Sequence, residues 1–214
     1  MPPPKDLERE PALWWRHRPA ELLIDSTGIK AEGEGAWNAR EHSGPKRRIW
    51  RKIHIGIDEE MLEVRAVEVT ASNVGDAPML PELLNHIPVD QTIGSVTADG
   101  AHDTRRCHDV IVARNAHAVI PPRKNTKPWK LSSAGAIARN EAVNASRYLG
   151  RASWQRWSGY HRRSRVETKM HCVKLMGQSP MARDFDRQVA EIQIRVAVLN
   201  KYTVLGVPVT EVVG

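Results

Sequence analysis

Two apolar runs of this 214-residue chain each end on an aspartate, Asp25 in LLIDST and Asp99 in SVTADGA. A third acid, Glu167, stands in the basic segment YHRRSRVETKMHCVK. Short apolar runs of this kind read as buried strands, and the basic segment reads as a helix. A fold that brings two strand ends to one helix face would gather three carboxylates. Such hard oxygens suit Mg²⁺, which keeps positions open for water and phosphate. Two such ions about 3.5–4 Å apart can clamp the attacking and leaving oxygens of an in-line phosphoryl displacement. The three acids therefore favour a sheet whose strand ends face a helix.

The intervening sequence is consistent with that sheet. Leu22–Ile24 reads as a short strand, and GIKAEGEGAWNARE as a glycine-broken loop. Trp50–Ile57 alternates, with Trp50, Lys52 and His54 on a wet face and Ile53, Ile55 and Ile57 on a dry one. Leu62–Thr70 alternates as well, with Leu62, Val64 and Ala66 on one face, and DEE makes the hairpin turn between them. Asp76 is expected to cap a helix running to about His86, and Asp103 or Thr104 one running to about Arg114. Ile93–Ala98 delivers Asp99, and Ala118–Ile120 is a short strand stopped by Pro121 and Pro122. The irregular insert RKNTKPWKLSSAG, a helix near Ile137–Leu149, the Glu167 helix and a last helix over Phe185–Leu199 complete the chain. Hairpin strands followed by alternating strands and helices give an α/β fold with a mixed sheet flanked by helices.

Charge concentrates in one place. From Arg147 to Lys174 there are eight cations and one acid, Glu167, which leaves +7, equal to the formal net charge of the whole chain. Trp154, Trp157 and Tyr160 interleave with Arg156, Arg162 and their neighbours, a composition suited to phosphates and stacked bases. On a regular α-helix begun at Tyr160, Arg163 falls at about −60°, Glu167 at about −20° and Lys174 at about −40°. One stripe would then carry an acid for a metal, two cations for phosphates and an aromatic ring, while Val166, Met170 and Val173 pack on the sheet. Arg165, at about +140°, points away.

Here the motifs resemble a known family. The spacing Tyr160-x2-Arg163-x3-Glu167-x6-Lys174 is similar to the signature around the third catalytic acid of bacterial insertion-sequence transposases of the DDE class. LLIDSTGIK resembles the segment with that family's first Asp and TADGAHDTRR the segment with its second. WNARE…GPKRRIWRKIHIGID resembles the branch related to insertion sequence 5. The resemblance runs from about Leu22 to Leu205. It implies a ribonuclease-H-like catalytic domain over residues 21–206, with a basic insert near 123–158, a linker or remnant at 1–20 and a tail at 207–214. It also implies Asp25, Asp99 and Glu167 as ligands of two Mg²⁺ or Mn²⁺ ions, and Tyr160, Arg163, Lys174, Arg162 and Arg156 as DNA contacts. The expected activity is cleavage and strand transfer at transposon ends, with DNA and a second copy of the chain as partners. Two departures stand out: only about 20 residues precede the first catalytic strand, where relatives carry a helical DNA-binding region, and His102 stands where relatives more often have Tyr. A truncated, non-catalytic regulator and a stand-alone ribonuclease-H-like nuclease are the rival expectations.

Other residues carry simpler explanations. Asp58 in GIDEE reads as a turn residue. Cys107–His108 and His171–Cys172 lack zinc spacing, because adjacent helical residues diverge by about 100°. Ser26 and Thr27 suggest strand-end hydrogen bonding, with no reason for His54 to face them. Most of the seven tryptophans are expected in the core. No apolar run approaches the ~18 residues of a membrane span, and MPPPKDLEREP lacks a signal-peptide core, so a cytoplasmic, nucleoid-associated protein is expected.

Overall fold

The computed structural model describes residues 18–31 and 49–206. Trp14, Trp15, Trp37, most of the 1–20 segment, the glycine-broken loop beyond Ala31 and the 207–214 tail lie outside the described residues. Five strands form one sheet: β1 (Ala20–Ala31), β2 (Ile49–Asp58), β3 (Val64–Ala71), β4 (Ile93–Thr97) and β5 (His117–Val119). Their order is β3-β2-β1-β4-β5. β1, β2 and β3 pair antiparallel, β4 runs parallel to β1, and β5 runs parallel to β4. Among the described residues six α-helices accompany them: α1 (Met79–Asn85), α2 (Arg105–Ala113), α3 (Ala134–Leu149), α4 (Arg151–Trp157), α5 (Ser164–Leu175) and α6 (Phe185–Leu205). This is the expected α/β, ribonuclease-H-like architecture.

β1 is apolar on both faces because both are covered. Leu22 and Ile24 pack into one layer with Leu80 and Leu83 of α1 and Ile111 of α2. Leu23 and Ile29 pack into the other with Val166, Met170 and Val173 of α5 and Ile192 of α6. Each such aliphatic side chain contributes roughly 1.5–3 kcal/mol on full burial. Ile53, Ile55 and Ile57 form the dry face of β2 as expected, each fully buried in the second layer.

The opposite face of β2 corrects the sequence reading. His54 is buried rather than wet, because α1 crosses over β2 and β3 there. His54 pairs in register with Ser26, and both side chains approach Asp76: Ser26 Oγ donates to its carboxylate, and His54 Nδ1 lies 3.5 Å away. His54 therefore does face Ser26, since antiparallel partners share a side of the sheet. Asp76 is spent on this network and on Lys52 Nζ at 2.7 Å, and α1 begins at Met79 with no side-chain cap. The other expected cap holds, because the Thr104 hydroxyl accepts from the Cys107 amide at 3.3 Å.

β3 departs from simple alternation. The register places Gly56 opposite Ala66 but Ile57 opposite Val64, leaving Arg65 extra in a bulge. Val64 and Ala66 consequently enter different layers, and Leu62 sits in the turn at φ 55° instead of sharing their face. Asp58 is the expected turn residue, its Oδ1 accepting from the Glu60 and Met61 amides at 2.9 Å each.

The basic insert is held by a buried ion pair. Arg139 of α3 grips Asp103 with two bonds, Nε to Oδ1 and Nη2 to Oδ2, both 3.0 Å. It also donates to the Lys127 carbonyl at 2.8 Å and lies 4.1 Å from the Trp129 ring centroid. Burial opposes ionisation of Asp103, but hydrogen bonds from His108, Arg139 and the Arg123 amide hold its carboxyl well below the usual range.

Candidate active site

The parallel register of β1 and β4 sets two of the acids level. Leu22 lies opposite Val96 and Leu23 opposite Thr97. Asp25 and Asp99 each stand two residues beyond the Leu23–Thr97 pair, and Asp99 keeps an extended backbone (φ −77°, ψ 174°). Alternation puts Asp25 on the same side as Leu23, the side covered by α5. Glu167 and Lys174 come from α5 on that side.

Arg163 is the centre of the arrangement. Its Nη2 donates to Asp25 Oδ1 at 2.6 Å and its Nη1 to Glu167 Oε1 at 3.0 Å. Lys174 Nζ donates to Thr27 Oγ1 at 2.7 Å, tying the other end of α5 to β1. Asp25, Ser26, Thr27, Glu167, Met170, His171 and Lys174 line a shared open pocket of about 210 Å³. His171 lies one helical turn beyond Glu167; that four-residue spacing is the signal that could have assigned it to the pocket rather than to a pair with Cys172.

Asp99 completes the group from the adjacent strand end. Its Oδ1 lies 2.9 Å from Nδ1 of buried His102 and accepts from the Ala101 amide at 2.9 Å. The two aspartates are pushed in opposite directions. Burial raises the Asp25 carboxyl, with the Asp99 charge adding to it and Arg163 opposing. The His102 hydrogen bond lowers the Asp99 carboxyl against the effect of burial. Divergence of this kind among neighbouring carboxyls is common where they handle protons or cations.

The other residues expected to contact DNA come from the turn before α5 and from α4. Tyr160–Arg163 is a 3-10 turn, and α5 begins only at Ser164, so the regular α-helical wheel does not apply to Tyr160. At three residues per turn, Tyr160 and Arg163 nevertheless fall on one side. Burial raises the Tyr160 hydroxyl's pKa against a nearby Arg163, and its ring lies 6.3 Å from Trp154. Trp154 is buried and cannot stack on a base, whereas Trp157 is 70% exposed. Arg162 turns to Glu59 at 3.1 Å, and Arg165 donates to the Glu59 carbonyl at 2.9 Å. Arg156 is exposed on α4. Trp129 is occupied by Arg139, Arg105 and His108.

Among the described residues, no three Asp, Glu, His or Cys side chains form a ready-made metal cage. A guanidinium lies between two of the expected ligands. The donor set nevertheless fits a hard divalent ion: all three acids offer carboxylate oxygens, and the Arg163 cation already supplies positive charge between Asp25 and Glu167. Cys107 is buried with its Sγ donating to the Ala77 carbonyl, which leaves no reason to assign it to zinc.

The family model of the transposase DDE domain matches residues 16–201. The chain belongs to this family. Membership agrees with the sheet order and ties the domain to transposition-related catalysis on DNA. No solved structure gives a significant match to this DDE transposase domain. No helix among its described residues is long and apolar enough to cross a membrane.

Proposed function

We propose that this domain cleaves a phosphodiester at the end of an insertion sequence, in the branch related to insertion sequence 5, and joins the freed end to target DNA. The observation that carries the reading is the shared hold of Arg163 on Asp25 and Glu167, beside Asp99, in a mixed sheet flanked by helices. Asp25, Asp99 and Glu167 would hold two Mg²⁺ or Mn²⁺ ions, which lower the pKa of water and stabilise charge on the exchanging oxygens. His102 fixes the Asp99 carboxylate. Arg163 and Lys174 neutralise the phosphates of the scissile strand, and Tyr160, Arg156, Arg162 and exposed Trp157 contact the flanking DNA. Water opens the P–O3′ bond and leaves a 3′-hydroxyl. That hydroxyl attacks a target phosphodiester and displaces a new 3′-oxygen, so no covalent protein–DNA intermediate forms. The working assembly is a homo-oligomer on DNA, in the cytoplasm at the nucleoid.

The test is nicking and joining of supercoiled DNA with Mg²⁺ or Mn²⁺, run beside Glu167→Gln. Divalent-dependent nicking and joining that Glu167→Gln abolishes support the proposal. Nicking without joining would favour a ribonuclease-H-like nuclease, and DNA binding without either would favour a regulator.

A further inference from the structure

A second basic feature borders the turn that follows Asp99. Residues 122–127 of the insert and one face of α3, continuing to Arg151, enclose a cleft of about 440 Å³. Its rim carries five exposed cations: Arg123, Lys124, Lys127, Arg147 and Arg151. No acid lines it, and none of the five takes part in an ion pair among the described residues. Several other arginines are matched to carboxylates, as in Arg139–Asp103, Arg162–Glu59 and Arg195–Glu191. In the cleft they are oriented instead by backbone carbonyls. Arg147 Nη2 donates to Thr126 O at 2.6 Å, and Arg151 Nη1 to Pro122 O at 3.5 Å. A carbonyl partner fixes a guanidinium without cancelling its charge, and it leaves further N–H groups to donate. Buried Val143 and Pro122 give the cleft an apolar floor, while Asn125 at φ 60° turns the insert at its edge.

Arg123 connects this cleft to the catalytic acids. Its Nε donates to Gly100 O at 3.1 Å and its Nη2 to Ala101 O at 3.3 Å, in the turn that immediately follows Asp99. A strand leaving the active site past Asp99 reaches Arg123 first and then the remaining four cations.

We propose that this cleft binds backbone phosphates of the DNA strand as it leaves the catalytic site, a contact surface separate from the Arg163–Lys174 face. The placement relative to catalysis rests on the function proposed above; the phosphate binding rests on the cleft alone. Five uncompensated cations repel one another, and a polyanion with regularly spaced charges relieves that repulsion while releasing its own counterions.

The experiment measures the affinity of the full chain for a double-stranded oligonucleotide against salt. It compares the parent, Lys124→Gln/Lys127→Gln, Arg151→Gln, and Lys201→Gln as a control on α6. Loss of each contacting cation lowers the slope of log affinity against log salt by about one. The expected result is a decrease of about two for the double variant and about one for Arg151→Gln, with the control unchanged. Thermal unfolding of each variant confirms that the fold is retained. Equal slopes in parent and cleft variants, or an equal decrease in the control, overturn the proposal. Parent cleavage is scored in the same preparations. Lower slopes without parent cleavage would retract the catalytic reading and keep the cleft, whereas parent cleavage with unchanged slopes would retract only the cleft.

Discussion

Arg163 and His102 between them hold the three acids in place by different means. Arg163 balances Asp25 and Glu167 with one delocalised charge, and its Nε stays buried without a partner. His102 is buried and bonds Oδ1 of Asp99, so it orients that carboxylate without needing to touch DNA. Outer-shell partners of this kind typically matter 10–100-fold. His102→Phe is therefore expected to slow divalent-dependent cleavage by about 10–100-fold at unchanged DNA affinity, with His102→Asn partly restoring the rate. Loss of DNA binding in parallel with cleavage would instead mean that His102 serves only the fold. The sequence showed Asp25 and Asp99 by their position after apolar runs and Glu167 by its place in a basic helix. It did not show the Asp99–His102 contact, because a 3-10 turn brings residues three apart together where a helix was not foreseen.

At the level of elements, polar pairs under the helices decide where the loops lie. Arg139 joins α3, the insert and the start of α2 through Asp103, and both partners are almost fully buried. Removing one member of a buried pair typically costs about 3–5 kcal/mol. Arg139→Met should lower the urea-unfolding free energy by that amount, and Arg139→Lys should not restore it, since a lysine cannot make the two-pronged contact. The second pair sits beneath α1. Burial pushes His54 down to about 4, with Lys52 and His102 adding to the effect and Asp76 opposing. An unfolded histidine titrates near 6.5. Below that pH the unfolded chain takes up a proton that folded His54 refuses, so stability is full above about 6.5 and falls until about pH 4. Unfolding free energy measured from pH 7 to 4 should decline less steeply in His54→Gln than in the parent. An equal decline would show that His54 is not the group responsible. Strand positions followed from alternation in β2, but the wet face assigned to His54 failed because the helix expected after Asp76 packs over it, and the sequence does not show which strands a helix will cover. The bulge at Arg65 was hidden for a similar reason: one extra residue changes the face without changing composition.

Across the whole molecule, sheet order and charge act together. Parallel pairing of β1 and β4 puts Asp25 and Asp99 side by side although 74 residues separate them in sequence, and α5 returns Glu167 to the same side. Cations then flank the acids in two directions, with Lys174 along β1 and Arg123 beyond the Asp99 turn. The architecture was legible because a mixed sheet imposes apolar runs on the sequence, and two of those runs end on Asp25 and Asp99. The second basic surface was legible only as composition, since the cations at 123–127 and at 147–151 are brought together by the Arg139–Asp103 anchor. The central claim is that these three carboxylates carry metal-dependent cleavage, and Asp99→Asn tests it most directly. It keeps the side chain's shape, removes one negative charge next to DNA and weakens a metal ligand. Nicking of supercoiled DNA in Mg²⁺ should fall by more than about a hundredfold, beyond the outer-shell range, while DNA affinity is kept or slightly raised. Nicking by Asp99→Asn at the parent rate would contradict the account and place the chemistry elsewhere on the chain.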